Sequence, residues 1–194
     1  LSCLDFQLTN ADYCNAIVFD NSDTNGAGIT FDLRPTVTDI TVNGGYYAIY
    51  VDNLTREARI TNFVAYYTHA DYGMYISGTD NTLLNCTTGG TYLGGVYAIQ
   101  NCRLNNIKCF VAHKYFLSTK DLTVFSPNKY YAMYLEGSYI NAVNIDLQQN
   151  CLNGLYVGGN SNYVQGVFNA AAGYTRPKDS TTVCCNIVVG SGAR

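Results

Sequence analysis

The 194-residue sequence has no tryptophan, two methionines, two histidines and three prolines, and only 13% of its residues are charged. That charge content is about half the usual share for a soluble domain. Eleven basic residues stand against fourteen acidic ones, giving a net charge of -3. The basic footprint that a phosphate backbone demands is missing, which excludes nucleic acid as a partner. No apolar run approaches the roughly 20 residues of a helical membrane span, so membrane insertion of that kind is excluded as well. Hydrophobic residues make up 47% of the chain, too many for a disordered segment.

The eight cysteines, at 3, 14, 86, 102, 109, 151, 184 and 185, show neither CxxC pairs nor histidines at zinc-site intervals. No metal site and no cofactor is expected. Disulfides stay open if the chain is secreted, but buried thiols filling core slots are the favoured reading.

Asparagine (21), glycine (18) and tyrosine (18) dominate what is present. Glycine and asparagine tolerate left-handed backbone, and tyrosine favours strands. This composition predicts many strands joined by many tight turns. The chain begins without an initiator Met or a signal-like segment and ends without a visible tail, a pattern expected of a piece of something longer.

A short pattern recurs: small residue, apolar, Tyr, apolar, then polar or Gly. Its clearest copies are Ala48-Ile49-Tyr50-Val51-Asp52, Gly73-Met74-Tyr75-Ile76-Ser77, Ala132-Met133-Tyr134-Leu135-Glu136 and Gly154-Leu155-Tyr156-Val157-Gly158, with Gly95-Val96-Tyr97-Ala98 and Tyr115-Phe116-Leu117 as variants. The central aromatics at 50, 75, 97, 116, 134 and 156 imply a period of about 21 residues. Each period holds a second apolar element ending near Asn, as in Arg59-Ile60-Thr61-Asn62-Phe63, Thr82-Leu83-Leu84-Asn85-Cys86 and Arg103-Leu104-Asn105-Asn106-Ile107; Asp121-Leu122-Thr123-Val124-Phe125 continues the series without Asn. Both elements alternate with the period of strands, and no stretch carries a helical stripe.

Equivalent aromatics in successive strands favour a parallel solenoid over an antiparallel sandwich, because only a solenoid stacks equivalent residues directly above one another. The expected architecture is an all-β parallel β-helix of about seven coils. It forms one domain over 1–194, with less regular coils in 1–45, regular coils in 46–173 and a terminal segment in 174–194. Residues 49, 51, 74, 76, 133, 135, 155 and 157 should point inward and the central aromatics outward.

Segment 73–86, "GMYISGTDNTLLNC", resembles one coil of the right-handed parallel β-helix of pectate-lyase-like proteins and bacteriophage tailspikes. The resemblance covers roughly 40–170, rests on periodicity rather than a catalytic signature, and speaks to fold more than activity. It implies an asparagine ladder at one sharp turn, for which Asn62, Asn85 and Asn106 are the candidates. It also implies a homotrimeric tail appendage at the outside of a virion or cell.

The predicted outer row of Tyr50, Tyr75, Tyr97, Phe116, Tyr134 and Tyr156 has two readings. It is a platform on which sugar rings stack, or a ladder that holds the coils together or packs against another subunit. Charges also fall near one another: Asp39 before Ile40 with Arg59 before Ile60, and Arg103 before Leu104 with Asp121 before Leu122, suggesting cross-rung ion pairs.

Glycosidic hydrolysis needs two carboxyls about 5 to 9.5 Å apart. Asp52 and Glu136 should lie beside the aromatic row but several rungs apart, so Glu136 would need a partner such as Asp80, Asp121 or Asp146. The candidate catalytic set is thus Glu136, Asp146 and Asp121. The calcium-binding acidic cluster of β-elimination and the Gly-His-Gly of pectin hydrolases are missing, and His69 and His113 stand isolated, although His113 is close in sequence to Cys109. The expected function is recognition of cell-surface polysaccharide by a phage tail spike. The alternatives are a β-helical polysaccharide lyase or glycoside hydrolase, and a structural adhesion stalk.

Overall fold

The computed structural model describes residues 2–8, 15–20, 34–112, 131–148, 153–168 and 187–190. Among these residues there is no helix. The strands are β1 (Ser2–Leu8), β2 (Ile17–Phe19), β3 (Thr36–Gly44), β4 (Ile49–Val51), β5 (Arg59–Tyr66), β6 (Tyr72–Ile76) and β7 (Thr82–Gly89), followed by β8 (Gly94–Ile99), β9 (Arg103–Phe110), β10 (Tyr131–Glu136), β11 (Asn141–Gln148), β12 (Asn153–Val157), β13 (Tyr163–Phe168) and β14 (Ile187–Val189).

Odd-numbered strands form one seven-stranded sheet and even-numbered strands a second. Every pairing between them is parallel. The chain therefore alternates between two sheets while advancing one strand per circuit, which is a parallel β-solenoid. Five consecutive pairs, from β4–β5 to β12–β13, are joined by short described arcs and make about five regular turns rather than seven. The outer strands extend the two sheets at either end.

The interior is a single apolar column. Ile49, Val51, Met74, Ile76, Val96, Ala98, Met133, Leu135 and Leu155 enter it from the even sheet, and Ile60, Phe63, Leu83, Cys86, Leu104, Ile107, Ala142 and Ile145 from the odd one. Val157 is partly buried against it. The alternation within Ile49-Tyr50-Val51 and its copies is thus the division between core and surface. Cys86, Cys102 and Cys109 are free and buried; Cys86 fills the level of Ile107, so a small apolar slot suffices to explain it. Burial pushes all three thiols up to about 12, leaving them neutral and unreactive at ordinary pH.

Five strands of the odd sheet, β3, β5, β7, β9 and β11, bend at one left-handed residue each: Asp39 (φ 54°), Asn62 (52°), Asn85 (54°), Asn106 (57°) and Asn144 (55°). Two successive residues at this bend avoid the core, as in Thr61 and Asn62 between buried Ile60 and Phe63. Asparagine and aspartate are the side chains that tolerate this backbone best. Their amides then bond along the axis: Asn62 Nδ2 donates to Asp39 Oδ1 (2.7 Å), Asn85 Nδ2 to Asn62 Oδ1 (3.1 Å) and Asn106 Nδ2 to Asn85 Oδ1 (2.9 Å). The ladder expected at 62, 85 and 106 is present and extends to Asp39. Asn144 Nδ2 instead donates to Asn105 Oδ1 at 3.0 Å.

One register expectation is corrected. Asp39 belongs to the bend and meets Asn62, whereas Arg59 lies opposite Thr36 and Thr82, so Asp39 and Arg59 form no rung pair. Ile40 matches Phe63 after the bend, and Ile60 matches Val37 before it. Arg103 lies opposite Thr82 and Asn141, and β9 pairs directly with β11. Asp121 and Phe116 lie outside the described residues. In the even sheet Tyr97 pairs directly with Tyr134.

Candidate functional site

The tyrosine row on the outer face of the even sheet is continuous. Tyr50, Tyr75, Tyr97, Tyr134 and Tyr156 occupy one register position. Their rings stack at centroid separations of 5.3, 4.5, 5.2 and 4.3 Å, within 2° to 9° of parallel. Each internal ring covers the faces of its two neighbours, so along its length the row presents phenol edges and hydroxyls rather than ring faces. A second set leans on the row from one side: Tyr47 on Tyr50 and Tyr75, Tyr72 on Tyr97, and Tyr131 on Tyr134 and Tyr156. Tyr72 lies over Gly94, where a Cβ would stand 2.4 Å from its ring.

Burial, reinforced by the Tyr75 and Glu136 charges, pushes Tyr97 up to about 12. Burial and the Glu136 carboxylate, to which Tyr134 donates a hydrogen bond at 2.7 Å, hold Tyr134 far above the ordinary phenol range. These are neutral phenols at any physiological pH.

The carboxylates expected beside the row are dispersed. Asp52 turns inward at 4% exposure, and its Oδ1 accepts from Thr55 N (2.7 Å) and Thr55 Oγ1 (2.5 Å), so it fastens the β4–β5 arc. Glu136 stays on the row beside Tyr134. Asp146 lies on the other sheet, accepting from Gln148 Nε2 at 2.7 Å with the Lys108 ammonium 3.9 Å away. Asp80 stands at the corner between the sheets. Glu136 is brought together with neither Asp146 nor Asp80.

That corner carries an open polar groove of about 650 Å³. Four arcs leading from the even sheet into the odd sheet build it, one rung after another. Each contributes an outward, a buried and an outward residue: Glu57-Ala58-Arg59, Asp80-Asn81-Thr82, Asn101-Cys102-Arg103 and Tyr139-Ile140-Asn141. The middle residues anchor the arcs, since Asn81 Oδ1 accepts from Ala58 N at 2.8 Å while Ala58, Cys102 and Ile140 enter the core. Arg59, Thr82, Arg103 and Asn141 are successive register partners.

The first residue of each arc has left-handed backbone: Glu57 (φ 51°), Asp80 (61°), Asn101 (53°) and Tyr139 (62°). Asp and Asn accept this at low cost, but Glu and Tyr do so less readily, and such outliers concentrate at sites where a side chain must be aimed. Tyr139 is 69% exposed. Glu57 is paired with Arg34 at 3.2 Å, and Arg59 and Arg103 have no ion-pair partner among the described residues. The groove thus presents two carboxylates, two guanidinium groups, two amides, a hydroxyl and one aromatic ring, a donor-and-acceptor set suited to hydroxylated ligands.

Of the groove's members, sequence reading had singled out Asp80 as a possible carboxylate partner and Arg59 and Arg103 as paired charges. Glu57, Asn101, Tyr139 and Asn141 were missed. The outward–buried–outward triplet just before each odd-sheet strand was the available signal. Among the described residues no group of three or more His, Cys, Asp or Glu is placed to hold a metal ion. The chain matches no protein-family model, no curated protein and no solved structure.

Proposed function

We propose that this β-solenoid recognises polysaccharide at a cell surface, and that the polar corner groove is where the glycan lies. The observation that carries the reading is the groove itself: four rungs of outward polar side chains, aligned along the axis and closed by the exposed Tyr139 ring. Rungs about 4.8 Å apart approximate the length of one extended sugar, so a glycan chain running along the axis meets one rung per sugar. The resemblance to tailspikes supports placing the protein in a homotrimeric appendage on a virion tail, outside the cell. The tyrosine row then serves chiefly to hold the coils in register.

A glycan array probed with the full chain tests this. Binding should depend on Tyr139, with Tyr139→Ala lowering affinity by up to about tenfold, the loss expected for one stacked ring, while Tyr134→Phe binds normally. Loss of binding in Tyr134→Phe together with normal binding in Tyr139→Ala would move the site to the tyrosine row. No binding to any glycan would favour the structural stalk.

One observation favours an enzymatic reading in second place: Glu57 and Asp80 line the same groove from adjacent arcs, and a pair of carboxyls flanking the scissile bond is what glycosidases use. Shortened products from any bound glycan, lost in Asp80→Asn, would establish it.

A further inference from the structure

We infer that the groove is built for an anionic polysaccharide that carries its charge on every second sugar. This rests on the groove being the glycan site and goes further by naming the class of glycan.

The argument is the order of charges along the axis. The Arg59 rung comes first, the rung of Asp80 and Thr82 second, the Arg103 rung third and the rung of Tyr139 and Asn141 fourth. The two guanidinium groups are therefore two rungs apart, about 9.6 Å at the spacing of parallel strands. That distance approximates the length of an extended disaccharide. Neither arginine has an ion-pair partner among the described residues, and a guanidinium fork suits a carboxylate or sulfate by paired hydrogen bonds.

The rung between the arginines carries the opposite charge and the rung beyond them is neutral. Asp80 Oδ2 accepts from Thr79 Oγ1 at 3.2 Å, and its ionised carboxylate has no proton to donate, so a sugar meets it with hydroxyl or amide donors. It repels an anionic sugar placed on its rung, so a polymer charged on every sugar is disfavoured there. The neutral sugar of an alternating polymer meets Asp80 and Thr82 with its hydroxyls, and the next neutral sugar meets the Tyr139 ring. Glu57 also enters the groove beside Arg59, but its charge is matched by Arg34 at 3.2 Å. Attraction at alternate rungs and repulsion between them together select charge spacing, not merely charge.

Three probe sets test this by titration of the full chain at low and moderate salt. The first comprises hyaluronan, unsulfated chondroitin and heparosan oligosaccharides, which carry one carboxylate per disaccharide in different linkages. The second is polygalacturonate, with one carboxylate per sugar, and the third is neutral dextran and neutral oligosaccharides. At least one alternating polymer should bind more tightly than polygalacturonate and lose affinity as salt rises. Arg59→Gln and Arg103→Gln should each weaken it about tenfold, and Asp80→Asn should improve polygalacturonate binding. Retained thermal stability of these surface variants separates lost binding from lost folding.

Tighter binding of polygalacturonate by the unmodified chain overturns the inference, as does salt-independent binding unaffected by either arginine change. Binding of neutral glycans that depends on Tyr139 but not on the arginines overturns it while leaving the glycan-groove reading intact. No binding of any glycan overturns both.

Discussion

Tyr97→Ala should destabilise the chain by about 2 to 4 kcal/mol in chemical denaturation, the largest loss of any single change on the outer face. The ring is sandwiched between Tyr75 at 4.5 Å and Tyr134 at 5.2 Å and touched from the side by Tyr72 at 5.4 Å. Each aromatic pair contributes about 0.5 to 1.5 kcal/mol beyond area burial, and removing the ring also uncovers its neighbours' faces. Tyr97→Phe keeps all of the stacking and should cost under about 1 kcal/mol. A loss below about 0.5 kcal/mol in the alanine variant would show that the row does not hold the coils. The same row makes the protein sensitive to alkali. Phenols raised in the folded state stabilise it fully below their unfolded value near 10, and that contribution is lost as pH rises from there through the folded values, which for Tyr97 is reached at about 12. Unfolding midpoints should therefore fall steadily above about pH 10, less steeply in Tyr97→Phe.

Gly78→Ala should be at least as damaging, about 3 kcal/mol or more, for a reason that lies in the backbone. A Cβ at this position would stand 2.0 Å from the Thr55 carbonyl oxygen and 2.8 Å from that of Asp52. Neither is the flexible end of a side chain. The Thr55 arc is fixed from within by Asp52, and the coil containing Gly78 is fixed to it by Ser77 Oγ donating to Val51 O at 2.9 Å. With both arcs held, the added methyl must part adjacent coils, and overpacking against backbone belongs at or above the usual 1 to 3 kcal/mol range. A thermal midpoint within a degree of the parent would contradict this close approach.

The fold was legible because one column repeats its chemistry as well as its backbone. Small-apolar-Tyr-apolar recurs at Tyr50, Tyr75, Tyr97, Tyr134 and Tyr156, and in a solenoid like residues stack. Tyr115-Phe116-Leu117 shows the same local alternation but lies outside the described residues, among which β8 pairs directly with β10 and 37 residues separate stacked Tyr97 from Tyr134. The asparagine ladder was readable at Asn62, Asn85 and Asn106, where the side-chain type is constant, and unreadable at Asp39, where only the left-handed backbone is shared.

The groove stayed hidden for the same reason in stronger form. Glu57, Asp80, Asn101 and Tyr139 occupy one column by backbone geometry while sharing no chemistry, and a search for repeated residue types passes over them. Of the two carboxylates that sequence placed beside the aromatic row, Glu136 is there, bonded to Tyr134, and Asp52 is not, because a turn can swallow its own aspartate, as Asp52 does by bonding to Thr55.

The central claim, that glycan lies in the corner groove while the tyrosine row holds the coil, is tested most directly by hydrogen–deuterium exchange of the full chain with and without a glycan identified on the array. The account predicts added protection in the arcs at 57–59, 80–82, 101–103 and 139–141, with the row segments at 73–76, 95–98 and 132–135 unchanged. Protection confined to the row segments, with the four arcs exchanging as in the free protein, would contradict it.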